Sequence, residues 1–167
     1  MRAGTAPLIH IRELCADDRE PIRVLMKETG VFTEDEVTVA LELIDTALHV
    51  EEHQDYIIST AVKDNDEVAG YYCIGPTPLT ESTYDLYWIA VKPSISNIGI
   101  GKQLLVHAEE TIRSRGGRLV VAETSSQPKY DNTRRFYLHN AYAEMARLKD
   151  YYKPGDDLVI YGKYLSQ

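Results

Sequence analysis

Between Tyr84 and Lys102 the sequence reads as a strand, a glycine-containing loop and the start of a helix. The strand is rich in β-branched and aromatic residues, and Pro93 stops it. Gly99 and Gly101 follow, directly before the good helix formers of Lys102–Arg115. Glycine lets the backbone approach a ligand closely, and the free N–H groups of a first helical turn bind anions. The segment therefore predicts a sheet with a helix packed on it, and a site for a phosphate-bearing ligand.

Two common nucleotide-binding motifs do not fit this loop. A dinucleotide-binding fingerprint needs a third glycine at the position of Leu104. A P-loop needs a glycine where Ser96 stands and a Ser or Thr where Gln103 stands. The ligand is therefore expected to be a phosphate-bearing cofactor of another kind.

The rest of the chain alternates between strand-like and helix-like patterns. The predicted strands are Leu8–Glu13, Tyr56–Lys63, Val68–Ile74, Thr83–Val91, Arg118–Glu123, Tyr142–Leu148 and Leu158–Tyr164. The predicted helices run from Asp17 or Asp18 to Thr29, from the capping box at Thr33–Glu36 through Leu48, over Lys102–Arg115 and over Asn132–His139. The order β-α-α-β-β-β-α-β-α-β-β predicts an α/β (α+β) fold, a mixed central sheet of about seven strands with helices on both faces. A length of 167 residues suits a single domain over residues 1–167.

Composition argues against two classes of partner. The net charge of −8 leaves no basic excess for binding nucleic acid. No apolar run approaches the ~20 residues of a membrane span, and Met1–His10 lacks the apolar core of a signal peptide. Cys15 and Cys73 are interpreted as buried structural thiols. We therefore expect a cytoplasmic protein without nucleic-acid or membrane partners.

The end of the strand and the loop carry a recognisable pattern. Ile89-Ala90-Val91-Lys92-Pro93 is an apolar strand ending in Val-x-Pro, and Gly99-x-Gly101 opens the helix. This combination resembles the GNAT superfamily of N-acetyltransferases, which has Gln/Arg-x-x-Gly-x-Gly/Ala at the helix start. Ser96 stands where the family usually has Gln or Arg, so a side-chain contribution to pyrophosphate binding is missing.

The resemblance implies acetyl-CoA as cosubstrate and no metal. Longer acyl groups remain an open alternative. The residues it assigns to cofactor binding are Ile89, Ala90, Val91, Ser96, Ile98, Gly99, Ile100, Gly101, Lys102 and Tyr137.

A second match to the family lies at Thr133–Tyr142. It resembles the segment in which a helix carries a Phe/Leu-Tyr pair, here ending at Tyr137, and then stops at Gly-Phe. Asn140 replaces the glycine of that ending. The family commonly has a cofactor-contacting Asn seven residues before the Tyr, where this chain has Tyr130, and Asn132 is not assigned that contact.

Acyl transfer to an amine needs a base, donors to the carbonyl oxygen and an acid for the leaving thiolate. The resemblance assigns the donors to the backbone of Ile89–Val91 and the acid to Tyr137. Asp85 is the first candidate base, because a family glutamate acts from the matching strand and alternation places Asp85 on the face of Tyr87, Ile89 and Val91. Glu123 is the second candidate, and a water acting as base is a further alternative. A solvated Asp85 and a Tyr137 that only packs are the alternatives.

The acceptor side is expected to combine aromatic and acidic residues. In this fold, the segment between the first two helices and the last hairpin usually wall the acceptor. The residues assigned to substrate binding are Phe32, Tyr151, Tyr152 and Asp156. Carboxylates and aromatic rings favour a cationic amine. Antibiotics, polyamines, amino acids, peptide termini and lysines all remain open as acceptors.

Two other functions compete with an N-acetyltransferase acting by direct attack in a ternary complex. The same fold could serve as a non-catalytic acyl-CoA-binding module, and Ser96 favours that mildly. His49-Val50-Glu51-Glu52-His53 fits the zinc-peptidase pattern H-x-x-E-H, although the two histidines fall at a helix end. The oligomeric state is left open, with a homodimer as one alternative.

Overall fold

The computed structural model describes residues 8–49 and 55–166, apart from the side chains of Ser96 and Asn97. The strands are β1 Ile9–Glu13, β2 Ile57–Lys63, β3 Val68–Pro76, β4 Thr83–Val91, β5 Leu119–Ser125, β6 Ala143–Lys153 and β7 Asp156–Tyr164. The helices are α1 Arg19–Glu28, α2 Glu34–His49, α3 Ile100–Ser114 and α4 Asp131–His139. Short 3₁₀ turns cover Ala16–Asp18, Pro93–Ile98 and Pro128–Tyr130.

The strands form one seven-stranded sheet in the order β1-β2-β3-β4-β5-β7-β6. β4 and β5 are parallel, and every other neighbouring pair is antiparallel. The sequence predicted this mixed sheet and this order of elements, and both predictions are confirmed. α3 connects the parallel pair, as a crossover between parallel strands requires.

Helices cover both faces of the sheet, also as predicted. On one face, α1 and α2 bury an apolar cluster that includes Met26, Ile44 and Tyr71. On the other face, α3 and α4 bury a second cluster that includes Leu104 and Tyr137. Apolar residues at helical intervals on each helix account for this arrangement, because they place one stripe against the sheet.

The predicted capping box at the start of α2 is present. The Glu36 N–H donates to Thr33 Oγ1 at 3.2 Å, and the Thr33 N–H donates to Glu36 Oε2 at 2.7 Å. These bonds satisfy donors that a helix start leaves without partners. They also fix Glu36 at the edge of the cleft described below.

Two expectations about the fold need correction. Cys73 is buried as expected, and burial raises the pKa of its thiol, but Cys15 is exposed in the loop after β1. The strand predicted over Tyr142–Leu148 instead covers Ala143–Lys153, and all residues of that observed strand are exposed at the sheet edge. Asp150 has φ 55° and the pairing with β7 shifts between Leu148 and Lys153, an irregularity that residue alternation does not reveal.

Among the described residues, no helix is both long enough and apolar enough to cross a membrane.

Candidate active site

The parallel strands β4 and β5 part along their length. They pair over Thr83–Asp85 and Leu119–Val121, and beyond these residues they diverge. A cleft of about 720 Å³ opens where they separate. Its two strand walls carry Tyr87, Trp88 and Ile89 from β4, and Glu123, Thr124 and Ser125 from β5. The N-terminus of α3 follows β4, so the predicted cofactor loop and the cleft are neighbours in the chain.

The remaining walls come from three other segments. The α1–α2 segment contributes Phe32, Thr33 and Glu36. The turn before α4, and α4 itself, contribute Gln127, Pro128, Lys129, Tyr130, Thr133 and Tyr137. The β6–β7 hairpin contributes Tyr152, Lys153 and Asp156. Two of these three segments, the α1–α2 segment and the β6–β7 hairpin, are the ones that the sequence analysis expected to wall the acceptor.

Tyr137 and Glu123, two of the three predicted catalytic residues, line this cleft. Among the predicted substrate residues, Phe32, Tyr152 and Asp156 line it as well. Tyr151 is exposed and does not belong to the described lining. Its ring instead packs edge-on against Tyr152, with the ring centroids 5.0 Å apart.

Asp85 lies on β4 but is not among the residues that line the cleft. Its carboxylate accepts a hydrogen bond from Thr77 Oγ1 at 2.8 Å. Burial raises the pKa of Asp85, and hydrogen bonds from Thr77 and Tyr87 lower it. The Asp85 side chain is therefore half-buried, with Thr77 and Tyr87 as its hydrogen-bond partners.

The prediction that Asp85, Tyr87, Ile89 and Val91 share one face of β4 is wrong beyond Tyr87. Consecutive residues of β3 pair with Trp88 and Leu86, which leaves Tyr87 as the extra residue of a β-bulge. Tyr87 and Trp88 therefore both pack on the α1–α2 side, and Ile89 packs on the α3–α4 side. The bulge reverses the alternation on which the expectation rested.

Tyr137 is buried on α4 within a group of aromatic rings. It stacks on Tyr161 with the ring centroids 5.6 Å apart and the planes 25° apart, and it also contacts Phe136 and Tyr142. Burial raises the pKa of its hydroxyl above the ordinary value. The hydroxyl therefore stays protonated at neutral pH, as a proton donor requires.

Three carboxylates line the cleft, those of Glu36, Glu123 and Asp156. Burial raises the pKa of Tyr152, and Glu123, Asp156 and Glu36 raise it further by their negative charge. Tyr130 donates its hydroxyl hydrogen to Glu36 Oε1 at 3.2 Å. The phenols and carboxylates therefore form one acidic, partly buried surface.

Two lysines also line the cleft. Lys129 donates to the Val31 carbonyl at 2.8 Å and lies 5.0 Å from the centre of the Tyr130 ring. Its charge is thus held against the α1–α2 segment. Lys153 is exposed on β6.

The sequence did not identify Glu36, Tyr130, Trp88 or Thr124 as residues of this cleft. Glu36 was recognised only as a helix cap, and Tyr130 only as a replacement for the family's Asn. Trp88 could have been recognised from the sequence, because the residues that follow it on β4 were already assigned to cofactor binding. Thr124 could have been recognised in the same way, because it directly follows Glu123, a predicted catalytic residue.

The predicted cofactor loop has the geometry of an anion site. Gly99 has φ +85°, a left-handed conformation that favours glycine, and a Cβ there would meet no atom within 4 Å. The hydrogen bonds of α3 start with the one from the Gln103 N–H to the Gly99 carbonyl. The N–H groups before Gln103 in the first turn therefore have no carbonyl partner within the helix. A Cβ on Gly101 would lie 3.3 Å from the Phe136 ring, so the helix start packs closely on α4.

The other residues of the predicted cofactor set differ in exposure. Ile89 lines the cleft, Ala90 is buried under α1 and α2, and Ile100, the first residue of α3, is buried in the core on the α3–α4 side. Ile98 and Lys102 are exposed, and Val91 is half-buried. The Ser96 side chain lies outside the described residues.

The zinc-peptidase pattern cannot be followed in the structure, because Val50, Glu51, Glu52 and His53 lie outside the described residues. Within residues 8–49 and 55–166, no three or more His, Cys, Asp or Glu side chains are grouped as a metal site would require.

Comparison with known proteins gives a family match. The model of the Acetyltransferase (GNAT) family matches residues 19–142. A Desulfovibrio desulfuricans protein assigned to the GNAT family of acetyltransferases is 42% identical, with 95% of this chain and 100% of that chain covered and a TM-score of 0.91. No curated protein sequence matches the chain.

Two more distant solved structures share the fold. The ribosomal-protein-S18-alanine N-acetyltransferase of Escherichia coli is 18% identical, with 96% of each chain covered and a TM-score of 0.75. An aminoglycoside 6'-N-acetyltransferase in complex with coenzyme A is 16% identical, with 95% of this chain and 98% of that chain covered and a TM-score of 0.73. The family match over most of the chain and the 42% identical relative show that the chain is an acyltransferase and belongs to the GNAT family.

Proposed function

We propose that this enzyme transfers the acetyl group of acetyl-CoA to the primary amine of a cationic small molecule or peptide. The amine attacks directly, within a complex that holds both substrates. The observation that carries the proposal is the cleft between β4 and β5, because it brings Glu123 and Tyr137 to one space next to the helix-start anion site. The coenzyme A complex of an aminoglycoside acetyltransferase with the same fold supports the choice of cosubstrate.

The residues at the start of α3 fit a pyrophosphate. Their N–H groups and the positive end of the helix dipole attract an anion, and the open space at Gly99 lets phosphate oxygens approach the backbone. The arm of the cosubstrate then enters the gap where β4 and β5 diverge. Backbone groups of β4 near Ile89 are placed to donate to the thioester carbonyl.

Two side chains then accept and donate the protons that the reaction transfers. Glu123 accepts a proton from the ammonium form of the acceptor, and the free amine nitrogen then bonds to the thioester carbon and releases its second proton to solvent. The carbon–sulfur bond breaks, and Tyr137 gives its hydroxyl proton to the departing sulfur. Glu123 is preferred to Asp85 as base because it lines the cleft, whereas Asp85 is engaged with Thr77 outside the lining.

The acceptor class follows from the charge of the cleft. Polyamines and aminoglycosides are expected to react faster than neutral or acidic amines, because Glu36, Glu123 and Asp156 attract a cation and Trp88 and Phe32 offer aromatic faces. Release of the CoA thiol across a panel of amines measures this order. Faster acetylation of neutral or acidic amines would remove the cationic preference from the proposal.

A matched pair of variants on α2 tests the same preference. Glu36→Gln is expected to raise the KM of a cationic acceptor by about three- to tenfold, since it removes one partly exposed charge from the cleft. Glutamine still suits the capping box, so α2 should keep its start. Glu34→Gln removes the same charge from an exposed residue that pairs with Lys27 and lies outside the cleft lining. Equal KM changes in both variants would contradict a specific role for Glu36.

The anion site at the helix start is tested by Gly99→Glu. The substitution should weaken acetyl-CoA binding by roughly a hundredfold, because the new carboxylate lies beside the pyrophosphate and repels it. The left-handed backbone at Gly99 also disfavours any side chain. Calorimetric titration with acetyl-CoA measures the change.

Gly116→Glu is the matched control for that titration. Gly116 has φ +80° and a Cβ there also meets no atom within 4 Å, but it lies at the opposite end of α3. Both variants should lose similar stability from backbone strain, and only Gly99→Glu should lose affinity. Wild-type affinity in Gly99→Glu would move the cosubstrate site elsewhere.

A further inference from the structure

Thr124 lies on β5 and faces the α3–α4 side of the sheet. It pairs with Val159 of β7, and Val120, Ala122 and Val159 all belong to the core on that side. The side chain is nine-tenths buried, with 6% of the residue exposed, and it lines the cleft. Thr124 therefore belongs to the same wall as Tyr137.

The Thr124 hydroxyl is buried and has no hydrogen-bond partner among the described residues. Such groups are rare, because an unpaired buried hydroxyl loses its bonds to water without replacement. The hydroxyl of the next residue, Ser125, is satisfied within the protein by donating to Asp156 at 2.5 Å. The two neighbouring hydroxyls on β5 thus differ, and only that of Thr124 needs a partner from outside.

Unpaired buried atoms concentrate at this cleft. In the part of the chain that the structure describes, three side-chain atoms are buried without a partner, on Trp88, Thr124 and Tyr142. Trp88 and Thr124 line the cleft from opposite sides of the sheet. This distribution indicates that a bound ligand supplies the missing hydrogen-bond partners of these buried polar atoms.

We propose that the Thr124 hydroxyl donates a hydrogen bond to the thioester carbonyl oxygen of bound acetyl-CoA, a contact that rests on the proposed function. A carbonyl oxygen only accepts hydrogen bonds, and a threonine hydroxyl can supply the hydrogen. Tyr137, on the same wall, acts on the sulfur next to that carbonyl. Thr124 thereby adds a side-chain donor to the backbone donors of β4.

The first test compares the binding of acetyl-CoA with that of free CoA, which lacks the carbonyl. Wild-type protein should prefer acetyl-CoA, and Thr124→Val should reduce that preference by about three- to tenfold, as expected for one hydrogen bond. Thr124→Ser keeps a hydroxyl and should retain the preference. Calorimetry measures all six affinities without any turnover.

The second test is turnover and stability of the same variants. Thr124→Val should lower kcat by about tenfold or more, because a donor to the carbonyl strengthens as negative charge develops on the oxygen. Its melting temperature without ligand should equal or exceed that of the wild type, because valine has the same shape and removes an unpaired hydroxyl.

The outcomes separate the two proposals. Loss of the acetyl preference in Thr124→Val, with no transfer to any amine by the wild type, would support the contact and overturn the proposed function. Transfer by the wild type, with unchanged preference and kcat in Thr124→Val, would overturn the contact. A lower melting temperature with unchanged kcat would show that Thr124 only packs.

Discussion

Tyr137→Phe is expected to lower kcat by roughly 10²–10⁴-fold, the usual contribution of a positioned general acid. The substitution removes one oxygen and keeps the ring that stacks on Tyr161, so α4 should remain packed. Affinity for acetyl-CoA should change little, because the hydroxyl acts on the leaving sulfur. Burial raises the pKa of Tyr137 above the ordinary value near 10. The wild-type rate should therefore not fall through loss of this proton at neutral or mildly alkaline pH.

Tyr161→Phe is the matched control for this experiment. Tyr161 belongs to the same aromatic group but is not among the residues that line the cleft. Its variant should keep a wild-type kcat. A wild-type kcat in Tyr137→Phe would exclude the acid role, and a reduced melting temperature with a normal rate would assign Tyr137 to packing.

Glu123→Gln is expected to produce the second large effect, a loss of roughly 10²–10⁴-fold in rate that is greatest at low pH. At low pH the amine is protonated and needs a base before it can attack. At high pH the free amine accumulates, so the deficit should shrink. The measurement is kcat/KM for one cationic acceptor over a pH series.

Asp85→Asn provides the comparison, since Asp85 was the first base predicted from the sequence. The structure places this carboxylate against Thr77 and outside the cleft lining, so its variant should stay close to the wild-type pH profile. A deficit at low pH in Asp85→Asn, with a normal profile in Glu123→Gln, would reverse the assignment. A pH-independent loss in Glu123→Gln would argue against a base at that position.

Much of the fold could be predicted because local patterns agree with the tertiary structure. The apolar stripe of α2, the capping box at Thr33 and the glycines around α3 each specify an element within a few residues. Gly99 adopts a left-handed conformation, which is a reason for glycine at that position. These features depend on neighbours in the chain, so a sequence pattern contains them.

Features that depend on residues far apart in the chain could not be predicted from the sequence as well. The bulge at Tyr87 adds one residue to β4 and reverses the faces of the residues that follow, although nothing in the alternation signals it. Glu36 meets Tyr130 through a hydrogen bond between residues 94 positions apart in the chain. The sequence could therefore name Glu123 and Tyr137 as catalytic candidates, but only the packing excludes Asp85 from the cleft lining.

Transfer of the acetyl group to an amine can be followed directly with a labelled cosubstrate. Deuterium-labelled acetyl-CoA is incubated with the enzyme and a polyamine or an aminoglycoside, and both products are followed. We expect the labelled acetyl group on an acceptor nitrogen, with one CoA thiol released for each group transferred. Binding of acetyl-CoA without labelled product across the amine panel would contradict the account and favour a non-catalytic acyl-CoA-binding module. Thiol release without acetylated amine would contradict it as well, since the thioester would then be hydrolysed by water.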